Sequence, residues 1–528
     1  MVGYFNELDG STNGKKSDVP FTTDLRRRAC AAGFCDGNAT HHMLNYTRPP
    51  VLGVKHQGFP YQVDAVEVLK NLEYAAVFHE QGLGKTKIAI DIAVWWLKKQ
   101  TVDSVLFVTK KGLINNWRQE LVAHSFLTPL VLDQDSRSNF LAFNSPSAIY
   151  LTHYEACRGD EKQLKLFLKT RRVGIVCDEA HKLKNPDSAL TKTFLSLSPL
   201  FKKRLILTGT PIANRPYDLW ALIRFLDQGK SIPEDFDLFK QQLELDSDLS
   251  RQTERGKEFR EKLAALPERI RAFSVRENKK TAGLILPEKE FHTIGAEFEP
   301  EQKRLYGKFR EGLAVEILKD GKVVSDDVED ILKRLLRLVQ VASNPKVIDS
   351  GYTAVPGKFP VLEQLLARIP KEEKVILWST FTANVDWLAA SLHAQGTVKV
   401  HGKLSMPVRQ ASIESFKSDP EVRVLVATPA SSKEGLTLTV ANHCIFYDRG
   451  FSLDDYLQAQ DRIHRISQSR TCHIYNIIIP DSIDEWVDEL IETKSLAARL
   501  GQGDISVEQF LASASNRFNE ILGEILNH

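Results

Sequence analysis

The sequence has little cysteine, six residues in 528. Scattered thiols at that density exclude a disulfide framework and read as reduced, those of an intracellular protein. Long hydrophobic runs are missing as well. The longest apolar stretch, Ile88 to Leu97, is interrupted by Asp91 and is too short to cross a bilayer, so no membrane partner is expected. The N-terminus is polar and lacks the apolar centre of a secretion signal. Strong charge of one sign is also absent. A formal net charge of +2 leaves no global field, so any nucleic-acid surface must be a local basic face. What is present is an ordinary globular composition in a chain too long for one core, which predicts two large domains with smaller attachments.

Residues 1–57 form an extension rich in Gly, Ser, Asn and Thr. Cys30, Cys35, His41 and His42 lie close together there, but C-x4-C followed by adjacent histidines is not a usual zinc spacing, and the reading is a small, poorly packed extension. The stretch that organises the rest is His79-Glu80-Gln81-Gly82-Leu83-Gly84-Lys85-Thr86. It follows the apolar run Ala75–Phe78 and precedes a helical pattern, so backbone N–H groups at the helix start form a phosphate cradle. Lys85 would reach the outer phosphates and Thr86 the Mg²⁺ that accompanies them. His79 stands where a strict P-loop has its first glycine.

From Ala75 to Thr210, short continuous apolar runs alternate with amphipathic segments, which predicts a parallel sheet covered by helices. Ligands bind such sheets at the carboxyl ends of the strands. Asp178-Glu179-Ala180-His181 caps one run, where Asp178 can hold Mg²⁺ and Glu179 can deprotonate water. Thr208-Gly209-Thr210 ends another, with hydroxyls able to sense a phosphate. Runs at Lys374–Trp378, Val398–Val400, Val422–Ala427, Cys444–Tyr447 and His473–Ile479 predict a second parallel sheet. Between them the charged, helical block 228–356 reads as an insertion. Its Lys279, Lys280, Arg334 and Arg337 are candidates to face nucleic acid.

Glu80-Gln-Gly-Leu-Gly-Lys-Thr86, Asp178-Glu-Ala-His181, Leu207-Thr-Gly-Thr-Pro-Ile-Ala-Asn214 and Gln458-Ala-Gln-Asp-Arg-Ile-His-Arg-Ile-Ser-Gln468 resemble motifs I, II, III and VI of Swi/Snf-type, superfamily-two helicase-like ATPases. The resemblance runs from about Phe59 to Leu500. It implies an α/β fold of two RecA-like lobes with parallel sheets, lobe 1 over 58–227 and lobe 2 over 357–500, with the helical insertion between and a tail over 501–528. It implies ATP and Mg²⁺ as cofactors, with Tyr61, Gln62, Gly82, Gly84, Lys85, Thr86 and Gly435 binding nucleotide and Asp178 and Thr86 the metal. Glu179 would activate water, Arg462 and Arg465 would act as arginine fingers from the second lobe, and His181, Thr208, Thr210 and Gln458 would couple the site to movement. Double-stranded DNA is the implied partner, contacted near Lys110, Lys111, Thr152, Ser379, Thr380 and Thr428. A protein partner could dock through the N-terminal extension or the amphipathic helix expected over Val507–Leu526.

Motif V departs from the family, with Pro429 where arginine is typical and Ser431-Ser432-Lys433 where glycines are usual. The expectation is therefore a DNA-dependent ATPase that translocates on duplex and remodels DNA or displaces protein. Alternatives are a strand-separating helicase, the motor subunit of a restriction or defence assembly, or an uncoupled DNA-binding scaffold. Short insertions and the lack of a chromatin-reading module suggest a compact bacterial or viral member, cytoplasmic at the nucleoid or in an infected cell, or nuclear in a eukaryote.

Overall fold

Continuous apolar runs have no polar face to leave in water, so each must be covered on both sides. The computed structural model describes residues 51–132, 136–212, 214–244, 254–284, 286–319, 322–323, 328–434 and 437–513. In lobe 1 the strands are β1 (Tyr74–Val77), β2 (Ser104–Thr109), β3 (Leu130–Leu132), β4 (Ile149–His153), β5 (Val173–Asp178), β6 (Lys203–Leu207) and β7 (Ser274–Val275). They pair in parallel in the order β3-β4-β2-β5-β6-β1-β7. The carboxyl ends of β5, β6 and β1 are therefore neighbours, with Asp178 opposite Leu207 and Leu207 opposite Val77.

Further along lie β8 (Lys289–Gly295), a short antiparallel pair β9 (Leu318–Lys319) and β10 (Lys322–Val323), then β11 (Lys374–Trp378), β12 (Thr397–Val400), β13 (Val424–Ala427), β14 (Ala441–Phe446) and β15 (Cys472–Ile478). The lobe 2 sheet is parallel in the order β12-β13-β11-β14-β15-β8. Two parallel α/β lobes stand as expected. The block 228–356 is not wholly helical, however, and supplies an edge strand to each sheet, β7 to the first and β8 to the second. Neither announces itself by an apolar run, because β7 is two residues long and β8 lies half exposed at an edge.

One apolar cluster joins the parts. Trp486, Leu490 and Leu500 of helix Ile483–Gly501 share a core with Ile212 and Trp220 of lobe 1 and Leu263 of the inserted helix Glu254–Ile270. Gly501 permits that approach, since a Cβ there would stand 2.5 Å from Leu263 Cδ1 and 2.8 Å from Ile212 Cδ1. Cys30, Cys35, His41, His42 and Gly435 lie outside the described residues, and the expected C-terminal helix is described over Val507–Ser513 alone.

Candidate active site at the lobe interface

After β1 the chain turns through Gly82 (φ 87°) and Gly84 (φ 67°) into helix Lys85–Lys98. Gly84 is the position that tolerates no side chain, because a Cβ would stand 2.3 Å from Gln62 Nε2. Gln62 is buried; its Oε1 accepts from the Phe59 N–H at 3.0 Å and its Nε2 donates to the Leu83 carbonyl at 3.1 Å. The glutamine expected to read an adenine thus ties its own helix, Pro60–Leu69, to the phosphate loop, while Tyr61 stacks on Phe59. His79 is buried, and its Nδ1 accepts from the Glu277 N–H at 3.1 Å. Burial, with the positive charges of Lys85 and Arg276, pushes its pKa down to about 4, so the imidazole is neutral. Lys85 Nζ donates to the His79 and Glu80 carbonyls at 3.0 and 3.2 Å, spanning the loop. Burial lowers the pKa of its ammonium against the opposing charges of Glu179 and Asp178.

Asp178 ends β5. Its Oδ2 accepts from Trp117 Nε1 at 2.7 Å and from Thr109 Oγ1 at 3.3 Å. Burial and the adjoining Glu179 charge raise its pKa to about 6. Glu179 leaves the strand in the left-handed region, φ 51°, a conformation that costs on the order of 1 kcal/mol for a residue with a Cβ. Burial pushes its carboxyl up, but contact with His181 and the charges of Lys110 and Lys85 outweigh that and hold it well below the carboxylate range. Lys110 Nζ lies 3.1 Å from His181 Nε2, which assigns the ring proton to Nδ1, 3.2 Å from Glu179 Oε2. That last pair is at ion-pair distance without hydrogen-bond alignment.

The second lobe closes the site. Arg465 Cγ stands 3.9 Å from where a Gly82 Cβ would be, so this side chain lies over the phosphate loop. Its Nε donates to the Asp461 carbonyl at 2.9 Å and its guanidinium to Thr437 Oγ1 at 2.6 Å. Arg462 is buried, and desolvation with the nearby Arg465 charge pushes its pKa down to about 9. Both guanidiniums feel the Glu179 carboxylate. Thr210 Oγ1, from lobe 1, donates to Asp454 Oδ1 at 2.7 Å, and Gln458 Nε2 donates to the same oxygen at 2.8 Å. Thr208 Oγ1 accepts from the Thr210 N–H at 3.2 Å, and a Cβ on Gly209 would meet Gln81 and Lys85. Thr208, Thr210 and Gln458 therefore line one cross-lobe path through Asp454, an aspartate that the motif pattern did not single out, whereas His181 stands apart beside Lys110 and Glu179.

Lys279 was a candidate for nucleic acid and is not on a solvated face. It is buried at the lobe junction, 2.8 Å from Asp461 Oδ1 and 3.4 Å from Glu80 Oε1, and its backbone N–H donates to Glu80 Oε2 at 2.9 Å. Burial lowers its pKa, but the Asp461 and Glu80 carboxylates outweigh that and raise it. Among the expected DNA contacts, two hydroxyls are turned inward. The hydroxyl of buried Thr152 donates to the Leu132 carbonyl at 2.6 Å, and that of buried Ser379 to Asp448 Oδ2 at 2.5 Å. Both brace strand ends. Thr428 is buried too, its carbonyl accepting from Ser431 Oγ at 2.7 Å. Lys111 is exposed, Lys110 sits beside His181, and Thr380 is half-buried.

The family profile of the SNF2-related domain matches residues 61–347, and that of the helicase conserved C-terminal domain matches 357–467. The chain belongs to the SNF2-related family. Similar proteins include a DNA repair and recombination protein RAD54-like of Danio rerio, 27% identical over 77% of this chain and 61% of its own length. Another is an uncharacterized ATP-dependent helicase of Mycoplasma pneumoniae, 27% identical over 86% of this chain and 43% of its own length. The chain thus spans about half the length of such relatives. Among solved structures, the Sulfolobus solfataricus SWI2/SNF2 ATPase core in complex with dsDNA is 26% identical over 88% of this chain and 98% of its own, with a TM-score of 0.39.

The residues of this SNF2-related site fit a nucleotide and its metal. Gln81 Nε2, Glu179 Oε2 and Gln458 Oε1 are buried without hydrogen-bond partners among the described residues, and they come from motifs I, II and VI. Buried polar atoms without partners are rare in folded proteins and call for a polar ligand or water. Thr86 and Asp178 supply the oxygen donors that Mg²⁺ takes.

Proposed function

We propose that this chain is a DNA-stimulated ATP hydrolase whose lobes work along double-stranded DNA, remodelling it or displacing bound protein. The observation that carries the reading is Arg465 of lobe 2 lying over Gly82 of lobe 1, with the Glu179 charge felt by both arginines and by Lys85 of the phosphate loop. Lys85 and the N–H groups at the start of its helix bind the phosphates. Glu179, ionised throughout the neutral range, takes a proton from the attacking water. Arg462 and Arg465 meet the charge that develops on the terminal phosphate, an effect worth orders of magnitude in rate. Mg²⁺, held by Thr86 and Asp178, would neutralise charge on the phosphate oxygens. Because the arginines and the loop belong to different lobes, hydrolysis requires the lobes to close.

Duplex contacts run through phosphates, with Lys111 and Thr380 as side chains still able to reach them. Among the described residues no helix is long and apolar enough to cross a membrane. The test is ATP turnover with and without duplex DNA. Wild type is expected to be stimulated by duplex, and Glu179→Gln to lose at least ~100-fold in turnover while still binding nucleotide. A rate untouched by Lys85→Ala would sink the catalytic reading and leave a DNA-binding scaffold.

A further inference from the structure

Away from the cleft, at the β8 edge of the lobe 2 sheet, three ligand-type side chains converge. Parallel pairing sets Glu290 opposite His473 and His292 opposite Tyr475, so alternate residues of two adjacent strands share one face. His292 Nε2 lies 3.4 Å from His473 Nδ1, His473 Nδ1 lies 3.2 Å from Glu290 Oε2, and Glu290 Oε2 lies 3.7 Å from His292 Nε2. The same three atoms close the triangle. Metal–donor bonds of about 2.0–2.1 Å at tetrahedral angles put donors about 3.3 Å apart, so an ion just off the plane of this triangle bonds all three.

The donors are held by the sheet rather than by flexible loops. The His473 ring stacks on His443 at 5.0 Å between centroids, and His443 Nε2 pairs with Glu373 Oε2 at 2.5 Å. The His292 ring stacks on Tyr475 at 4.7 Å. Stacking of this kind fixes ring orientation, as groups behind metal ligands do. The side chains are partly open to water, with Glu290 47% and His473 26% exposed, which leaves a route for entry and a place for a fourth, water ligand.

We infer that Glu290, His292 and His473 form a binding site for a zinc-like divalent transition-metal ion, separate from the Mg²⁺ site of the ATP cleft. Two imidazoles with one carboxylate suit Zn²⁺ and disfavour Mg²⁺, which prefers oxygen ligands. The ion would pin β8 to β15.

The probe is Zn²⁺ alone, titrated calorimetrically into the full, untagged chain freed of metal, with Co²⁺ as a spectroscopic reporter of coordination. One ion per chain is expected, bringing a rise in Tm and the visible absorption of tetrahedral Co²⁺. His292→Ala and His473→Ala should each lose that ion, keep the wild-type circular dichroism and leave ATP turnover unchanged. Cys30→Ser with Cys35→Ser should keep it. Binding that survives both histidine substitutions, or no stoichiometric binding in the wild type, overturns the assignment in favour of a shared-proton cluster.

Discussion

Asp178 is a carboxylate placed where ionisation is hard, buried and next to a second acid. Its pKa is raised from the ordinary 3.8 to about 6. Between those pH values the folded chain holds a proton that the unfolded chain has released, so stability falls as pH rises through that window. Glu179 works in the opposite sense, because a depressed carboxyl contributes stability above its unfolded value and loses it only in acid. Substituting Asp178 alone isolates the first effect. Asp178→Asn keeps an acceptor for Trp117 and removes the charge. Its stability should exceed that of wild type by on the order of 2 kcal/mol at pH 7–8, the excess shrinking toward zero near pH 4, while ATP turnover is lost. Chemical denaturation at a series of pH values measures this directly. An excess independent of pH would mean that Asp178 is not the buried charge described. Lys279 shows the residue scale from another side: its partner Asp461 stands 182 positions along the chain, and a Lys-Lys pair in a charged block carries no sign of that.

At the scale of elements, the loop after β6 and helix Leu453–Gln460 meet across the lobe boundary. Thr210 and Gln458 both donate to Asp454 Oδ1, and the Leu453 N–H donates to Asn214 Oδ1 at 2.9 Å. Asp454 Oδ1 accepts both bonds, and the Asp454 charge also opposes that of buried Arg462. Asp454→Asn, which keeps an acceptor but removes that charge, should lose only part of the turnover. Asp454→Ala, which loses two buried bonds at roughly 1 kcal/mol each, should fall about tenfold or more. Steady-state kcat for both variants decides it, and equal loss in the two would argue that charge, not bonding, matters. The elements themselves were largely legible, because strands buried on both faces are written as continuous apolar runs. β14 was read short because the polar pair Asn442 and His443 follows its first residue, Ala441, and their side chains bond Glu373. β8 was missed because an exposed edge has no apolar signature, and β7 because two residues have no period. The motif residues were legible for their chemistry, whereas the burial of Thr152 and Ser379 depends on neighbours that only the folded sheet supplies.

Across the whole molecule, the lobes are joined by more than polar contacts in the cleft. Helix Ile483–Gly501 leaves lobe 2 and seats its last turn between Ile212 of lobe 1 and Leu263 of the insertion. Just beyond it, Gln502 Nε2 donates to the Ile212 carbonyl at 3.0 Å, and Asp504 receives both arms of Arg276. Arg276 in turn donates to the Phe78 carbonyl at the mouth of the phosphate loop. A shared apolar core couples the unfolding of the parts that build it, whereas lobes joined only by a wet cleft would melt separately. Wild-type chain should give one calorimetric transition, with calorimetric and van't Hoff enthalpies in agreement. Gly501→Leu drives carbon into the Leu263 and Ile212 methyls, an overpacking that costs typically ~1–3 kcal/mol, and should split or broaden that transition with each sheet still folded. Two well-separated transitions in the wild type would show that the terminal helix rests on lobe 1 without binding the halves together, and closure of the cleft would then depend on polar contacts such as Lys279 with Asp461, Thr210 with Asp454 and Asn214 with Leu453.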